Sequence, residues 1–252
     1  MSSGQAIHHR VAQSARLSAR PSAKSSGDAW LRWTIGALAV ALSAAVVETL
    51  AAFRATAEER RRVMPGDRFV SGPMYSTTHA VTIDVPPERV WPWLAQMGAD
   101  RAGWYSYDRI DNGGRASAGD ILAEYQHVSP GDVFPAIPGA TDAFVVAAAE
   151  PPRDLVLTVP IAGGGTLTSW EFLLDPLERG RTRLIVRARV SPQWRAMAAS
   201  APTAAQGHPI FIQRAFGVLG KLPAPLLMVA GGFGHRVMQN QQLRGLKRRA
   251  EA

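Results

Sequence analysis

The sequence predicts an α+β domain, an antiparallel sheet with helices on one face, standing behind one N-terminal transmembrane helix. Three observations carry that reading: an apolar run from Trp33 to Phe53 between basic flanks, two alternating arms around a turn over 166–190, and an apolar stripe at helical spacing near the C-terminus. Charge then narrows the partners. The formal net charge is +8, but the basic residues gather at the ends. Arg10, Arg16, Arg20, Lys24 and Arg32 precede the apolar run, Arg60, Arg61 and Arg62 follow it, and Arg244, Lys247, Arg248 and Arg249 close the chain. Cations flanking apolar sequence suit lipid headgroups. Nucleic-acid binding would call for aromatics interleaved with the cations or a reading motif, and neither occurs, so nucleic acid is not an expected partner. The absence of cysteine excludes disulfides and thiolate metal sites.

Residues 1–29 are rich in Ser, Ala and Arg and hold too little apolar surface to offset the entropy of ordering, which predicts a disordered basic tail. Residues 30–56 read as a single-pass transmembrane helix, long enough for the hydrocarbon layer and bordered by Trp30 and Trp33. Glu48 opposes it at about 2.5–3.5 kcal/mol if central, but stands toward the end of the run. An apolar helix packed on the domain and a signal peptide cut after 55–57 are the alternatives, the latter opposed by Glu48 and Arg54. Five basic residues stand on each flank, counting Arg54 and Arg68 with Arg60, Arg61 and Arg62, so the charge rule assigns no side to the domain. Residues 57–73 read as a linker.

From 74 to 250 the pattern is that of a folded domain. "HAVTIDV" (79–85) alternates as a half-buried strand does. "PPERVWPWLAQMG" then offers Pro87 and Glu88 as a helix start, Val90, Trp91 and Leu94 at helical spacing, and Gly98 as a stop. Short strands are expected at "DVF", 143–150 and 154–160, the last two parted by a Pro-Pro turn. In the hairpin over 166–190, setting Leu174 opposite Leu184 also sets Phe172 against Val186, Trp170 against Ala188 and Glu171 against Arg187, so one register satisfies both faces. Glu171 and Arg187 then read as a solvated cross-strand pair. A short helix is expected near 209–220, and a closing helix carries Leu226, Val229, Ala230, Phe233 and Val237. A curved sheet closed by one helix leaves a cavity, a ligand site by geometry.

"RAGWYSYDRIDN" (101–112) concentrates aromatic and acidic side chains in a chain with only 8% aromatics. Trp104, Tyr105 and Tyr107 would supply rigid, half-polar pocket walls, and Asp108 could accept a ligand hydrogen bond. A cyclase-type enzyme would use Tyr105 or Tyr107 to polarise a ketone with Asp108 as partner. Alternatively the aromatics plug one end of the sheet and Asp108 caps a turn. The six histidines lack ligand spacing, "AGGGT" (162–166) lies between strands rather than opening a helix, and no G-x-S-x-G elbow occurs. No metal and no cofactor is therefore expected.

Taken together, "THAVTIDVPPERVWPWLAQMG", "RAGWYSYDRIDN", "I..EYQHVSPGD" (121–132), "SWEFLL…GRTRLIVRARV" and "VMQNQQLRGLKRRAE" resemble the START-like superfamily, also called SRPBCC or polyketide cyclase/dehydrase-like, and in particular its membrane-anchored bacterial members. The resemblance implies a helix-grip fold, a curved antiparallel sheet around a long C-terminal helix, enclosing a cavity for lipids, polyketides or other hydrophobic molecules. It implies no single chemistry. The leading expectation is membrane-tethered binding of a hydrophobic small molecule or lipid, lined by Trp104, Tyr105, Tyr107, Trp170 and Phe172. A polyketide cyclase or aromatase-like enzyme using Tyr105, Tyr107 and Asp108 is one alternative, and a structural membrane protein without a ligand is the other.

Overall fold

The computed structural model describes residues 33–37, 53–139, 143–161, 163–194 and 224–252. The chain divides into two units, Met1–Val47 and Glu48–Ala252. In the first, residues 33–37 are helical and exposed. Most of the expected transmembrane span, and the helix expected near 209–220, lie outside the described residues. Among the described residues no helix is long and apolar enough to cross a membrane.

The second unit is a six-stranded antiparallel sheet with the order β1-β6-β5-β4-β3-β2. Its strands are β1 (Tyr75–Ile83), β2 (Val133–Pro135), β3 (Ala143–Glu150), β4 (Asp154–Pro160), β5 (Thr166–Leu177) and β6 (Arg181–Val190). Helix α1 (Ala57–Arg61) precedes the sheet, α2 (Pro87–Ala95) and the one-turn α3 (Asp108–Asp111) fill the crossover from β1, and α4 (Ala224–Glu251) closes the chain. An antiparallel sheet against a long C-terminal helix is a helix-grip α+β architecture.

The hairpin forms in the expected register, with Leu174 opposite Leu184, Phe172 opposite Val186, Trp170 opposite Ala188 and Glu171 opposite Arg187. Two-residue alternation then sorts the side chains. Val81, Ile83, Phe172, Leu174, Leu184 and Val186 meet Val90 and Leu94 of α2 and Leu243 and Leu246 of α4 in one core. Trp91 and Trp93 belong to this core too. Pro225 sits in the first turn of α4, where its missing N–H is tolerated. The expected apolar stripe of that helix is not buried throughout: Val229 and Phe233 are exposed.

The opposite face of the sheet departs from expectation. Residues 57–73, read from sequence as a linker, form α1 and a 3-10 helix (Pro65–Phe69) laid over β5. Thr56 caps α1 reciprocally: Glu59 N–H donates to Thr56 Oγ1 (3.1 Å) and Thr56 N–H to Glu59 Oε2 (2.6 Å). The domain begins earlier still, because Ala80 N–H donates to the Phe53 carbonyl (2.9 Å) and Ala55 is buried with Met64, Ala80, Leu173 and Ile185. Residues 53–56, placed by the sequence reading in the membrane span, are not helical.

This covering layer makes Glu171 and Arg187 interior rather than solvated, at 1% and 5% exposure. They do not pair with each other. Arg187 donates to Asp67 Oδ2 (2.8 Å), to the Glu59, Arg60 and Arg62 carbonyls (2.7, 3.2 and 2.8 Å), and to Thr78 Oγ1 (3.1 Å). Glu171 Oε2 accepts from Gly66 N–H at 3.0 Å. Burial, together with the Asp154 carboxyl beside it, holds the Glu171 carboxyl above its ordinary range, and burial raises Asp154 likewise. Glycine is required at 66, since a Cβ there would stand 2.6 Å from Glu171 Oε2.

Candidate functional site

Between the concave face of the sheet and α4 lies a cavity of about 250 Å³. Small-molecule sites commonly measure about 300–1,000 Å³, so it suits a small ligand. Its sheet side is aromatic. Trp104 and Trp170 stack with centroids 5.4 Å apart at 29°, and Phe144 closes on them at 5.6 and 5.4 Å. Both indole N–H groups are already spoken for, Trp104 donating to the Ala136 carbonyl and Trp170 to Gln239 Oε1, each at 3.0 Å. The rings are thereby fixed by their polar edges and offer their apolar bodies.

The other wall is polar and comes from α4 and the α3 loop. His235, Met238, Gln239 and Gln242 repeat at three- and four-residue steps along α4, which puts them on one face. Gln239 Nε2 donates to Gln242 Oε1 (2.8 Å), so the amide that holds Trp170 is itself held. Ser106 Oγ donates to the Met238 carbonyl at 3.1 Å, tying the loop to the helix. Asp111 completes this side, and Thr168 of β5 adds a hydroxyl from the sheet.

Two polar atoms at the cavity are buried without a hydrogen-bond partner among the described residues, Asp111 Oδ1 and His235 Nε2. Burial, and then the nearby Asp108 carboxylate, pushes Asp111 up to about 7. Burial pushes His235 down to about 4, with the Arg236 charge acting in the same direction. Behind it His79, its ring 6.3 Å from that of His235, is pushed down to about 3 by burial, with His235 adding to the effect. Near neutral pH both imidazoles are therefore uncharged, and Asp111 stands close to half protonated. Such a wall can exchange hydrogen bonds with a neutral polar group on an otherwise apolar ligand.

Of the residues singled out from sequence, Trp104 and Trp170 reach the cavity wall and the others lie elsewhere. Phe172 is fully buried behind Trp170, at 4.9 Å between centroids. Tyr105 is core: 2% exposed, edge-on to Trp93, its hydroxyl accepting from Gln96 Nε2 (3.0 Å) and its ring under the Arg249 guanidinium. Burial pushes its phenol up, which keeps it protonated. Its left-handed backbone (φ 61°) turns the side chain away from the cavity, and Gly245 lets α4 come against its carbonyl. Tyr107 is exposed. Asp108 spans the loop, accepting from Ser117 N–H (3.1 Å) and Ser117 Oγ (2.5 Å), while Ser117 Oγ accepts from Tyr105 N–H (3.1 Å). The two-tyrosine cluster thus builds the loop that carries Trp104, Ser106 and Asp111.

Sequence reasoning missed Asp111, Phe144, His235, Gln239 and Gln242. Asp111 lay inside the quoted cluster, three residues after Asp108 and so within one helical turn of it. Gln239 and Gln242 carried a weaker signal, amides at helical spacing in a helix that must pack on a sheet.

No family model matches the sequence, and no curated protein matches it. Solved structures do. A polyketide-cyclase-like protein from Corynebacterium glutamicum is 17% identical over 67% of this chain and 90% of its own, with a TM-score of 0.34. A protein from Mesorhizobium loti is 17% identical over 66% and 96%, with a TM-score of 0.30. An HSP90 activator from Plasmodium falciparum is 13% identical over 62% and 96%, with a TM-score of 0.32. At TM-scores this low the likenesses carry no argument about function, and the description of the fold rests on strand order, register and the closing helix.

Proposed function

We propose that this protein is a START-like binding domain, tethered to a membrane through residues 30–52, which holds a hydrophobic small molecule or lipid in the cavity between sheet and α4. The observation that carries the proposal is the cavity of about 250 Å³ walled by Trp104, Phe144 and Trp170. Apolar surface offered to a ligand is worth roughly 25 cal/mol per Å², and these rings are held in place before a ligand arrives, which lowers the entropic cost of binding. A tether would keep the cavity near a bilayer reservoir and raise the effective concentration of a lipophilic ligand. Catalysis of a cyclase type finds less support. Tyr105, Tyr107 and Asp108 stand off the cavity wall, and Asp111 is the carboxyl that reaches it.

The test is to purify the full chain, denature it and identify co-purifying small molecules by mass spectrometry beside Trp170→Ala. A stoichiometric apolar species present in the parent and lost from the variant is the expected result. Retention of nothing beyond bulk lipid would count against storage or carriage.

A further inference from the structure

The face of the sheet turned away from the cavity carries a second pocket, independent of the first. It measures about 180 Å³ and lies among α1, the following turn, Ser76 of β1, and Arg187 and Arg189 of β6. Five arginines line it, Arg60, Arg61, Arg62, Arg187 and Arg189, with one acidic residue, Asp67. Asp67 is shared by Arg187 and Arg189, at 2.8 and 2.7 Å. Arg62 is paired with Asp175, and of the two acids on α1 Glu59 is turned to Arg183 while Glu58 acts on Arg62. The arginines lining the pocket still outnumber the acids lining it, five to one.

The donors left over are specific. Arg187 spends its guanidinium on Asp67, three carbonyls and Thr78, and is a strut. Arg189 Nε is buried with no acceptor among the described residues. Arg60 makes one bond, from Nη1 to the Ala55 carbonyl (2.5 Å), and Arg61 has no partner among the described residues. An unpaired buried guanidinium N–H costs free energy that an acceptor oxygen would recover. Planar guanidinium forks match the paired oxygens of a phosphoryl group.

We propose that this pocket binds a phosphoryl group, with Arg60, Arg61 and Arg189 as its ligands and Asp67 positioning Arg189. A phospholipid headgroup and a soluble phosphate ester share that chemistry. In sequence, Arg60 and Arg61 follow the expected membrane span by a few residues. The site itself does not depend on the cavity or on the tether.

The experiment uses the full chain and the double variant Arg60→Gln/Arg61→Gln, with Arg109→Gln/Arg248→Gln as a control that removes the same charge elsewhere. Arg61→Gln alone serves as a second variant, since Arg61 supports no contact whose loss could perturb the fold. Inorganic phosphate and phenyl phosphate are titrated by calorimetry. Phosphatidic acid binding is read by native mass spectrometry from micelles of phosphatidylcholine with and without phosphatidic acid. The expected result is binding of at least one of these probes, weakened about tenfold or more in the double variant and unchanged in the control. Binding of phosphatidic acid alone assigns the site to a headgroup, and binding of phenyl phosphate assigns it to a soluble ester. The proposal is overturned if the parent binds none of the probes, or if the control weakens binding as much as the double variant does.

Discussion

The two faces of the sheet solve opposite problems with the same strands. On the concave face, alternating Trp170, Phe172 and Leu174 meet Leu184, Val186 and Ala188, and the polar groups are few: Gln239 is tied to Trp170 and Gln242, while Asp111 Oδ1, His235 Nε2 and both nitrogens of His79 have no hydrogen-bond partner among the described residues. On the convex face Glu171, Arg183, Arg187 and Arg189 are polar positions roofed by residues 53–73, and each makes a hydrogen bond or ion pair to that roof, although Glu171 Oε1 and Arg189 Nε have no hydrogen-bond partner among the described residues. The difference separates two uses of buried polarity. A many-membered charged network fixes how one segment docks, whereas isolated polar groups in an apolar wall beside a cavity leave room for a ligand to bond with them.

The comparison can be broken most severely at Arg187. If the convex network holds the roof, Arg187→Met leaves the Glu59, Arg60 and Arg62 carbonyls without this donor and Asp67 with Arg189 alone as its cation, and urea denaturation is expected to show a loss of about 3–5 kcal/mol. Cost within a few tenths of a kcal/mol would mean that apolar burial of Met64 and Ala55 holds the roof instead. A smaller effect sharpens the same contrast. Burial and the adjacent Asp154 carboxyl hold the Glu171 carboxyl above its ordinary 4.5 in the folded protein, so above that value the folded state keeps a proton that the unfolded state has lost. Stability then falls as pH rises above about 4.5 towards the raised folded value. Glu171→Gln mimics the protonated acid, and thermal melts across that window are expected to show a flatter slope and a variant more stable than the parent at pH 9. Parallel profiles would place the carboxyl's proton elsewhere.

How far the sequence could be read follows from which forces are local. Period-two alternation fixed the β5–β6 register, because a one-residue slip would have moved Trp170, Phe172 and Leu174 to the wrong face. Strands 143–150 and 154–160 were bounded by their Pro-Pro turn for the same reason. The roof was not legible, since α1 is only five residues long and its 3-10 partner is held by Glu171, a residue more than a hundred positions away. The Thr56–Glu59 capping box was its one local signal. At the site, aromatic content pointed to Trp104 and Trp170, and both line the cavity. The neighbours Tyr105 and Trp104 look alike as text, and what separates them is the left-handed backbone at Tyr105 and the close approach of Gly245. Asp111, His235 and Gln239 converge only once α4 lies across the sheet.

The most direct test of the central claim is a titration of the full chain with the neutral fluorophore N-phenyl-1-naphthylamine, comparing the parent with Ala188→Phe. Ala188 lines the cavity opposite Trp170 and makes no side-chain hydrogen bond, so a phenyl ring there fills the space while leaving its polar wall intact. The account predicts saturable binding by the parent, weakened about tenfold or more in a variant that still unfolds cooperatively. Equal affinity in both proteins would contradict it, because the dye would then be bound somewhere other than the cavity.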